Sequence, residues 1–171
     1  EKELTGKGVS YCTTCDGPLF ADRDVAVVGA GNSGFEGLID LVPIANRIVN
    51  IDIAPEPIAD PILQERLKDE EIEKYYNHEI LEIMGDDAVS GIKIKDQEDG
   101  TVRELELDGI FIEIGLIPNT GFVFDEVETN DAGEIIVDCK AATNVEGLYA
   151  AGDVTNIPEK QIVISAGEGA K

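Results

Sequence analysis

The feature that most constrains the fold is the run VAVVGAGNSG at residues 25–34. Its apolar, β-branched first part predicts a buried strand. Its second part matches the pattern Gly-x-Gly-x-x-Gly with Gly29, Gly31 and Gly34, and the segment FEGLIDLVPIA that follows has apolar residues at helical spacing. A strand, a glycine-rich turn and a helix in this order predict a Rossmann-like α/β domain that binds a dinucleotide.

Each residue of this loop has a predicted task. Gly29 would form the tight turn, Gly31 would let the backbone approach a pyrophosphate, and Gly34 would let the helix pack closely on the strand. Asn32 and Ser33 complete the loop at the positive end of the helix dipole, where a pyrophosphate binds well. A tight strand–helix turn without a ligand is the alternative interpretation.

Asp52 predicts which dinucleotide binds. The segment RIVNIDI at residues 47–53 reads as a second strand, and Asp52 stands near its end. A carboxylate there accepts hydrogen bonds from the adenine ribose and repels a 2′-phosphate. Because residues 51–60 contain no Arg or Lys, we predict NADH rather than NADPH. A solvated carboxylate at a strand end is the alternative for Asp52.

Patterns further along the chain predict a parallel sheet with an added β-meander. Residues 1–24 are polar and turn-rich. DPILQERLKDEEIEKYY, at residues 60–76, has an Asp cap and a Pro at the first helical position, which predicts a helix. Strands are predicted within residues 78–86, 89–95 and 101–115, with a hairpin turn at 96–100.

Near residues 112–118 the sequence changes from strand-like to loop-like segments, which predicts a domain boundary. We assign residues 1–114 to an NAD(P)H-binding domain and 115–171 to a second piece. In that piece, residues 115–122 read as a loop, 134–153 as two short strands, and 158–171 as the start of a helix. At about 55 residues, it is small for a complete domain.

Composition excludes some classes of partner. The chain has 36 acidic and 13 basic residues and a net charge of −23, so its surface repels nucleic acids and anionic membranes. No apolar run approaches the roughly 20 residues of a membrane helix. Three cysteines in 171 residues do not form a disulfide scaffold, which favours a cytoplasmic location.

Cys12 and Cys15 lie two residues apart in YCTTCDGPLF, just before the dinucleotide pattern. Zinc needs four ligands, and of the preferred types only Cys139 and His78 remain, in separate contexts, so we predict no metal. A reducing compartment disfavours a structural disulfide, which leaves a redox dithiol. Cys139 is interpreted as a packed residue near a strand end and His78 as a polar surface residue.

GKGVSYCTTCDGPLF at residues 6–20, followed by VAVVGAGNSG, resembles the low-molecular-weight thioredoxin reductase family. Within it the chain is most similar to the branch of the alkyl hydroperoxide reductase flavoproteins, since a basic motif typical of NADPH users is missing after the second strand. The resemblance continues through IAPE, GIFIEIGLIPNT, GEIIVD, TNVEGLYAAGDVT and KQIVISAGEGAK.

The resemblance implies FAD and NADH as cofactors and an order of electron flow. Hydride would pass from NADH to the flavin, electrons from the flavin to the Cys12–Cys15 disulfide, and from the dithiol to a partner disulfide. By position, Cys15 would face the flavin, Cys12 would attack the partner, and Asp16 would protonate the departing thiolate. A turn residue is the alternative for Asp16, because Asp-Gly-Pro is also good turn chemistry.

Cofactor-binding residues follow from the same resemblance. Asp153 would bind the ribityl-pyrophosphate region of FAD, and Gln161 and Ile162 would run past the isoalloxazine ring. Gly115, which ends a predicted strand, is assigned to cofactor binding with them. The implied partner is a thioredoxin-like or peroxiredoxin-like protein disulfide, and a homodimer stays open.

In this family the FAD-binding domain is split by the NAD(P)H-binding domain. No strand–glycine–helix unit precedes residue 25, so we expect the chain to be a fragment that ends with the C-terminal part of an FAD-binding domain. Two other functions stay open at this point. One is a dinucleotide-binding module without flavin or redox turnover, and the other is a flavin-dependent NADH oxidase with incidental cysteines.

Overall fold

The computed structural model describes residues 1–115, 117–123 and 125–171. The chain divides into two compact units, Glu1–Gly115 and Leu116–Lys171. The predicted loop at residues 115–122 includes position 116, which lies outside the described residues.

The first unit contains two sheets. Five parallel strands lie in the order β1-β8-β2-β3-β4, and three antiparallel strands in the order β5-β6-β7 form the meander. The strands are β1 (Val9–Ser10), β2 (Asp24–Val28), β3 (Arg47–Ile51), β4 (Ile72–Tyr75), β5 (His78–Met84), β6 (Gly91–Asp96), β7 (Val102–Glu106) and β8 (Gly109–Ile112).

Helices cover one face of the parallel sheet, and the meander covers the other. The described α-helices are α1 (Thr13–Asp16), α2 (Asn32–Leu41), α3 (Pro61–Arg66) and, in the second unit, α4 (Ile162–Gly169), and short 3₁₀ helices span Lys2–Leu4 and Gly17–Phe20. Along β2, Val25 and Val27 pack with the α2 side chains, whereas Ala26 and Val28 pack with the meander. The alternation follows from the two-residue period of a strand, and burial on both faces explains the continuous apolar run VAVV. The predicted α/β class is confirmed.

The predicted helix at residues 60–76 is wrong beyond its first turns. Helix α3 ends at Arg66, and Ile72–Tyr75 form β4, which pairs in parallel with β3. Ile72 packs toward α2, whereas Tyr75 packs toward the meander. Pairing with a strand that is distant in sequence therefore overrides the local helical pattern. Strand β1 likewise lies in a stretch predicted to have no regular element.

The second unit contains helix α4 and isolated bridges rather than two short strands at 134–153. The bridges pair Thr129 with Ile135, Ile135 with Thr155, and Ala142 with Tyr149. The chain turns between them because the Asp138 carboxylate accepts hydrogen bonds from the amides of residues 140 and 142. Across the described ranges, every helix is too short or too polar to cross a membrane.

Candidate functional site

At two of its three glycines, the loop between β2 and α2 has no room for a side chain. Gly29 has φ +117°, and a Cβ there would lie 2.2 Å from the carbonyl oxygen of Glu113. A Cβ at Gly34 would lie 2.1 Å from the carbonyl oxygen of Gly29. At Gly31 a Cβ would meet only Ile58, at 4.0 Å, so the loop has free space at this position. Gly31 is also the N-cap of α2 and provides no side-chain cap, which leaves first-turn amides for an anion.

A cleft of about 670 Å³ opens beside this loop. The loop, the carboxyl ends of β3 and β8, and the start of β5 form its walls. Among the predicted cofactor residues, the cleft brings together Gly29, Gly31, Asn32, Ser33, Asp52 and Gly115. Gly34 lies behind the loop, where it permits the close packing of helix and strand. Ligand clefts of α/β folds lie at this carboxyl edge of the sheet.

Asp52 holds the glycine loop. One carboxylate oxygen accepts a hydrogen bond from the Ala30 amide at 2.6 Å, and the other accepts one from the Ala54 amide at 2.7 Å. Asp52 is therefore not merely a solvated carboxylate at a strand end. A carboxylate has about four lone-pair sites, so capacity remains for ribose hydroxyls.

A polar network below the loop was not predicted from the sequence. The buried Asn50 side chain donates hydrogen bonds to the carbonyl oxygens of Val27 at 3.1 Å and Gly29 at 2.9 Å. Its amide oxygen accepts a hydrogen bond from the Tyr76 hydroxyl at 2.9 Å. Burial raises the pKa of Tyr76 to about 12, so the hydroxyl stays protonated as the donor.

Residues 58–60 are hydrogen-bonded to the glycine loop. The Ile58 and Ala59 amides both donate to the carbonyl oxygen of Ala30, at 3.0 and 3.1 Å. The Asn32 amide oxygen accepts a hydrogen bond from the Asp60 amide at 2.8 Å, and its nitrogen donates to the Asp60 carboxylate at 3.1 Å. Asn32 therefore connects the glycine loop to Asp60 by two hydrogen bonds.

The interpretations of His78 as a surface residue and of Cys139 as a packed residue are both wrong. His78 is partly buried and lines the cleft. Its Nδ1 lies 2.7 Å from the carbonyl oxygen of Tyr76, so Nδ1 carries a proton, since a carbonyl only accepts. Cys139, expected to be packed, is an exposed free thiol.

Cys12 and Cys15 form a disulfide, with a Cα–Cα distance of 5.3 Å. Cys12 is the N-cap of α1, and its sulfur accepts a hydrogen bond from the Cys15 amide at 3.1 Å. Cys15 is exposed and Cys12 is partly buried. The short helix therefore presents the disulfide at the surface of the first unit.

Ser10, a residue that the sequence did not indicate, connects Asp16 to the backbone of Cys12. The Ser10 hydroxyl donates to the Asp16 carboxylate at 2.7 Å. The Ser10 hydroxyl oxygen also accepts a hydrogen bond from the Cys12 amide at 3.1 Å. Ser10 is only 3% exposed, so the hydroxyl that links the Asp16 carboxylate to the Cys12 amide is buried at the end of β1.

Glu113 was also missed. It follows β8, lines the cleft and is partly buried. Burial raises its pKa from the ordinary value of 4.5 to about 6, the Glu36 and Asp40 carboxylates add to the rise, and a hydrogen bond with the Thr13 backbone opposes it. A pKa near neutrality inside a cleft is a common property of functional carboxyl groups.

The predicted flavin residues lie in the second unit. The Asp153 carboxylate accepts a hydrogen bond from the Ser165 hydroxyl at 3.3 Å. The buried Glu168 carboxylate accepts one from the Gly152 amide at 3.1 Å. Gln161 is the N-cap of α4 without a side-chain cap, and Ile162 is 91% exposed. This segment thus presents an open helix N-terminus, an anchored carboxylate and an exposed apolar side chain.

Comparisons with known proteins agree on one family. The profile described as pyridine nucleotide-disulphide oxidoreductase matches residues 1–169. One of the subunits of alkyl hydroperoxide reductase in Staphylococcus aureus is 48% identical over 171 residues, covering 99% of this chain and 34% of the relative. A protein named NADH dehydrogenase from Ferdinandcohnia aciditolerans is 49% identical, covering 99% of this chain and 33% of that protein. The chain therefore spans about a third of these curated relatives.

Solved structures show the same likeness. The thioredoxin reductase of T. acidophilum has a TM-score of 0.82 at 39% identity, with 99% of this chain and 56% of that chain covered. The thioredoxin reductase of Lactococcus lactis has a TM-score of 0.82 at 35% identity, with 99% and 57% covered.

Proposed function

The chain belongs to the pyridine nucleotide-disulphide oxidoreductase family, and we propose that it carries the NADH site and the redox disulfide of an FAD-containing disulfide reductase. In the overall reaction NADH and one proton reduce a partner disulfide to two thiols, and the oxidised cofactor leaves as NAD⁺. The proposed partner is a thioredoxin-like or peroxiredoxin-like protein, in keeping with the names of the relatives. The small number of cysteines supports a cytoplasmic location.

The observation that carries this proposal is that one compact unit holds both the dinucleotide cleft and the disulfide. Helix α1, which bears the cysteines, contacts helix α2, whose N-terminus opens on the cleft. The Thr13 and Thr14 hydroxyls donate to the Asp40 carboxylate of α2 at 3.3 and 2.8 Å. A dinucleotide-binding module without redox function would not need an accessible dithiol held against the same helix.

The charge of the cleft supports NADH. No Arg or Lys occurs among the described residues that line it, and Asp52 stands where the adenine ribose is expected. A 2′-phosphate would meet a carboxylate with no compensating cation. Ile53, Ile58 and Ile80 supply apolar surface for the base.

The second unit fits part of an FAD site. Asp153 accepts a hydrogen bond from Ser165, and no side chain caps the start of α4. Asp153 would bind the ribityl-pyrophosphate region, while Gln161 and Ile162 would lie along the ring. Bound FAD supplies the conversion of a hydride into electrons that a disulfide can accept.

The chain's own residues support the thiol chemistry. Disulfide exchange requires a thiolate, and a nearby acid must protonate the thiolate that leaves. Asp16, held through Ser10 beside the Cys12 amide, is the proposed acid. Cys12 is the proposed attacking thiol toward the partner, and Cys15 is the proposed flavin-side thiol.

Calorimetric titration and thiol counting test this function. We expect NADH to bind at least about tenfold more tightly than NADPH at equal ionic strength, which corresponds to about 1.4 kcal/mol. After a mild oxidant, reagent-accessible thiols of the unfolded chain should fall from three to one. Cys139→Ser should lower both counts by one and leave NADH binding unchanged. Equal affinities would overturn the cofactor preference, and three thiols after oxidation would overturn the redox pair.

A further inference from the structure

The peptide unit between Gly29 and Ala30, in the glycine loop, is held at both of its polar ends by side chains from one strand. The Gly29 carbonyl oxygen accepts a hydrogen bond from the Asn50 side chain at 2.9 Å. The Ala30 amide donates to the Asp52 carboxylate at 2.6 Å. Asn50 belongs to β3 and Asp52 directly follows it, so the two-residue period of an extended chain explains why both side chains reach the loop. Together they fix the plane of this peptide.

Side chains are needed at this point because the backbone ladder ends. Strands β2 and β3 pair in register as far as Val28 and Ile51, and the Gly29 amide adds one more hydrogen bond, to the Ile51 carbonyl at 2.8 Å. The chain then turns into α2, and a Cβ at Gly34 would lie 2.1 Å from the Gly29 carbonyl oxygen. That oxygen therefore lies under the first turn of α2. Because Gly29 is buried, the oxygen needs a donor from the protein.

Asn50 is suited to this task by its chemistry. Its side chain is fully buried, and its nitrogen faces the carbonyl oxygens of Val27 and Gly29, since a carbonyl only accepts. The nitrogen has two hydrogens, and the two carbonyl oxygens lie at 3.1 and 2.9 Å. The Asn50 amide oxygen accepts a hydrogen bond from the Tyr76 hydroxyl at 2.9 Å. Tyr76 thus fixes the orientation of the carboxamide, and the carboxamide fixes the Gly29 carbonyl.

We propose that Asn50, oriented by Tyr76, is a positioning residue for the pyrophosphate of the dinucleotide, because it keeps the Gly29 carbonyl oxygen turned away from the cleft. This inference rests on the proposed NADH site and identifies what prepares that site for an anion. With the oxygen held under α2, the loop presents the amides at the N-terminus of α2 to the ligand. Without Asn50, the flexible backbone of Gly29 allows the peptide to rotate. A carbonyl oxygen that turns toward the cleft then repels the pyrophosphate.

The adenosine half of the ligand provides an internal comparison. The contacts expected for adenosine are the Asp52 carboxylate for the ribose and the side chains of Ile53 and Ile58 for the base. None of these contacts involves the Gly29 carbonyl oxygen. Loss of Asn50 should therefore weaken a ligand that contains a pyrophosphate and spare adenosine, whereas a general loosening of the fold would weaken both.

Calorimetric titration of the full chain with ADP-ribose and with adenosine tests the proposal. ADP-ribose has the pyrophosphate but no nicotinamide, and adenosine has neither. Asn50→Leu keeps a similar volume and removes the hydrogen-bonding groups. ADP-ribose should bind this variant about tenfold more weakly than the wild type, and adenosine should bind within about twofold, because only the bonds to the loop carbonyls are lost. Equal weakening for both ligands, or no weakening for either, would overturn the proposal.

Tyr76→Phe is a milder variant that keeps the ring and removes one oxygen. ADP-ribose should bind it about threefold more weakly, as for the loss of one neutral hydrogen bond, with adenosine unchanged. Tyr75→Phe is the matched control, because the Tyr75 hydroxyl lies 3.5 Å from the Glu73 carboxylate and its side chain packs toward the meander. Unchanged ADP-ribose affinity in Tyr76→Phe, or the same loss in Tyr75→Phe, would contradict the proposed role.

Native-state hydrogen exchange measures the peptide rotation in the ligand-free chain. Rotation takes the Ala30 amide away from the Asp52 carboxylate, whereas the Ala54 amide, bound to the other oxygen at 2.7 Å, is not part of the rotating peptide. In Asn50→Leu the Ala30 amide should exchange about tenfold faster, and the Ala54 amide should keep its protection. An Ala30 amide as protected as in the wild type, or equal losses at both amides, would refute the rotation.

The outcomes separate this inference from the proposed function. If the wild-type chain binds neither NADH nor ADP-ribose, the proposed nucleotide site itself fails. If the wild type binds both and the affinity for ADP-ribose does not depend on Asn50 or Tyr76, only the positioning role fails.

Discussion

Replacing Asp52 with Asn should loosen the glycine loop even without a ligand. The two carboxylate oxygens accept the Ala30 and Ala54 amides at 2.6 and 2.7 Å. Asn keeps one acceptor oxygen and places an NH₂ donor where the other oxygen was. One of the two amides then faces a donor, and the other loses a charged partner.

The expected cost follows from the loss of one hydrogen bond to a charged group. Such a bond contributes about 1.5 to 3 kcal/mol. Opening of the loop should become easier by this amount, which is about a tenfold to hundredfold loss of protection, since about 1.4 kcal/mol is a factor of ten. Native-state hydrogen exchange of the Ala30 and Ala54 amides measures this directly.

Asp138→Asn is the matched control. Asp138 also accepts two backbone amides, at 2.8 and 3.0 Å, but it lies in the second unit. Its replacement should leave the exchange of Ala30 and Ala54 unchanged. Unchanged protection in Asp52→Asn would refute the reasoning and would leave Asp52 with only a ribose-binding role. If protection is lost, the loop is less ordered in Asp52 variants. A weaker NADH affinity of such variants then includes the free energy of ordering the loop as well as any lost ribose contact.

Three further predictions concern overpacking at Gly34, the pH dependence of stability and the hydrogen exchange of the second unit. Gly34→Ala places a Cβ 2.1 Å from the Gly29 carbonyl oxygen and should cost about 3 kcal/mol or more, as overpacking against backbone does; a thermal midpoint within a few degrees of wild type would contradict this. Glu113 has a folded-state pKa raised to about 6. Its contribution to the free energy of unfolding is therefore complete below pH 4.5 and is lost as pH rises through 6. The loss should be about 1 kcal/mol, because solvent screens this half-buried group. Urea denaturation should show that loss in wild type, and Glu113→Gln should remove it; parallel pH profiles would argue against the shift. Amides of residues 117–123 and 125–171 should exchange faster than those of 25–112, because isolated bridges replace sheet there; equal protection would be evidence against a less stable second unit.

Local spacing was enough to predict the centre of the candidate site. The strand β2, the glycine loop and the helix α2 follow one another in sequence, so the apolar run and the three glycines specify them directly. The same holds for the Cys12–Cys15 pair, because two intervening residues bring the Cα atoms within disulfide range. The electron-transfer roles of these cysteines and of Asp16, and the cofactor contacts of Asp153, Gln161 and Ile162, stay predictions.

The groups that support this centre were decided only by tertiary structure. Asn50 and His78 lie on different strands and Glu113 follows a third, and nothing in their local sequence marks them. Parallel pairing brings the ends of β2, β3 and β8 to one edge, which sets Asn50 below the glycine loop and the Glu113 carbonyl beside Gly29. The same long-range pairing turned residues 72–75 into a strand against their local pattern. The sequence by itself therefore determined the loop and the disulfide, since both depend on neighbours in the chain. Tertiary structure decided which buried polar groups surround them, because those contacts depend on strand order and burial.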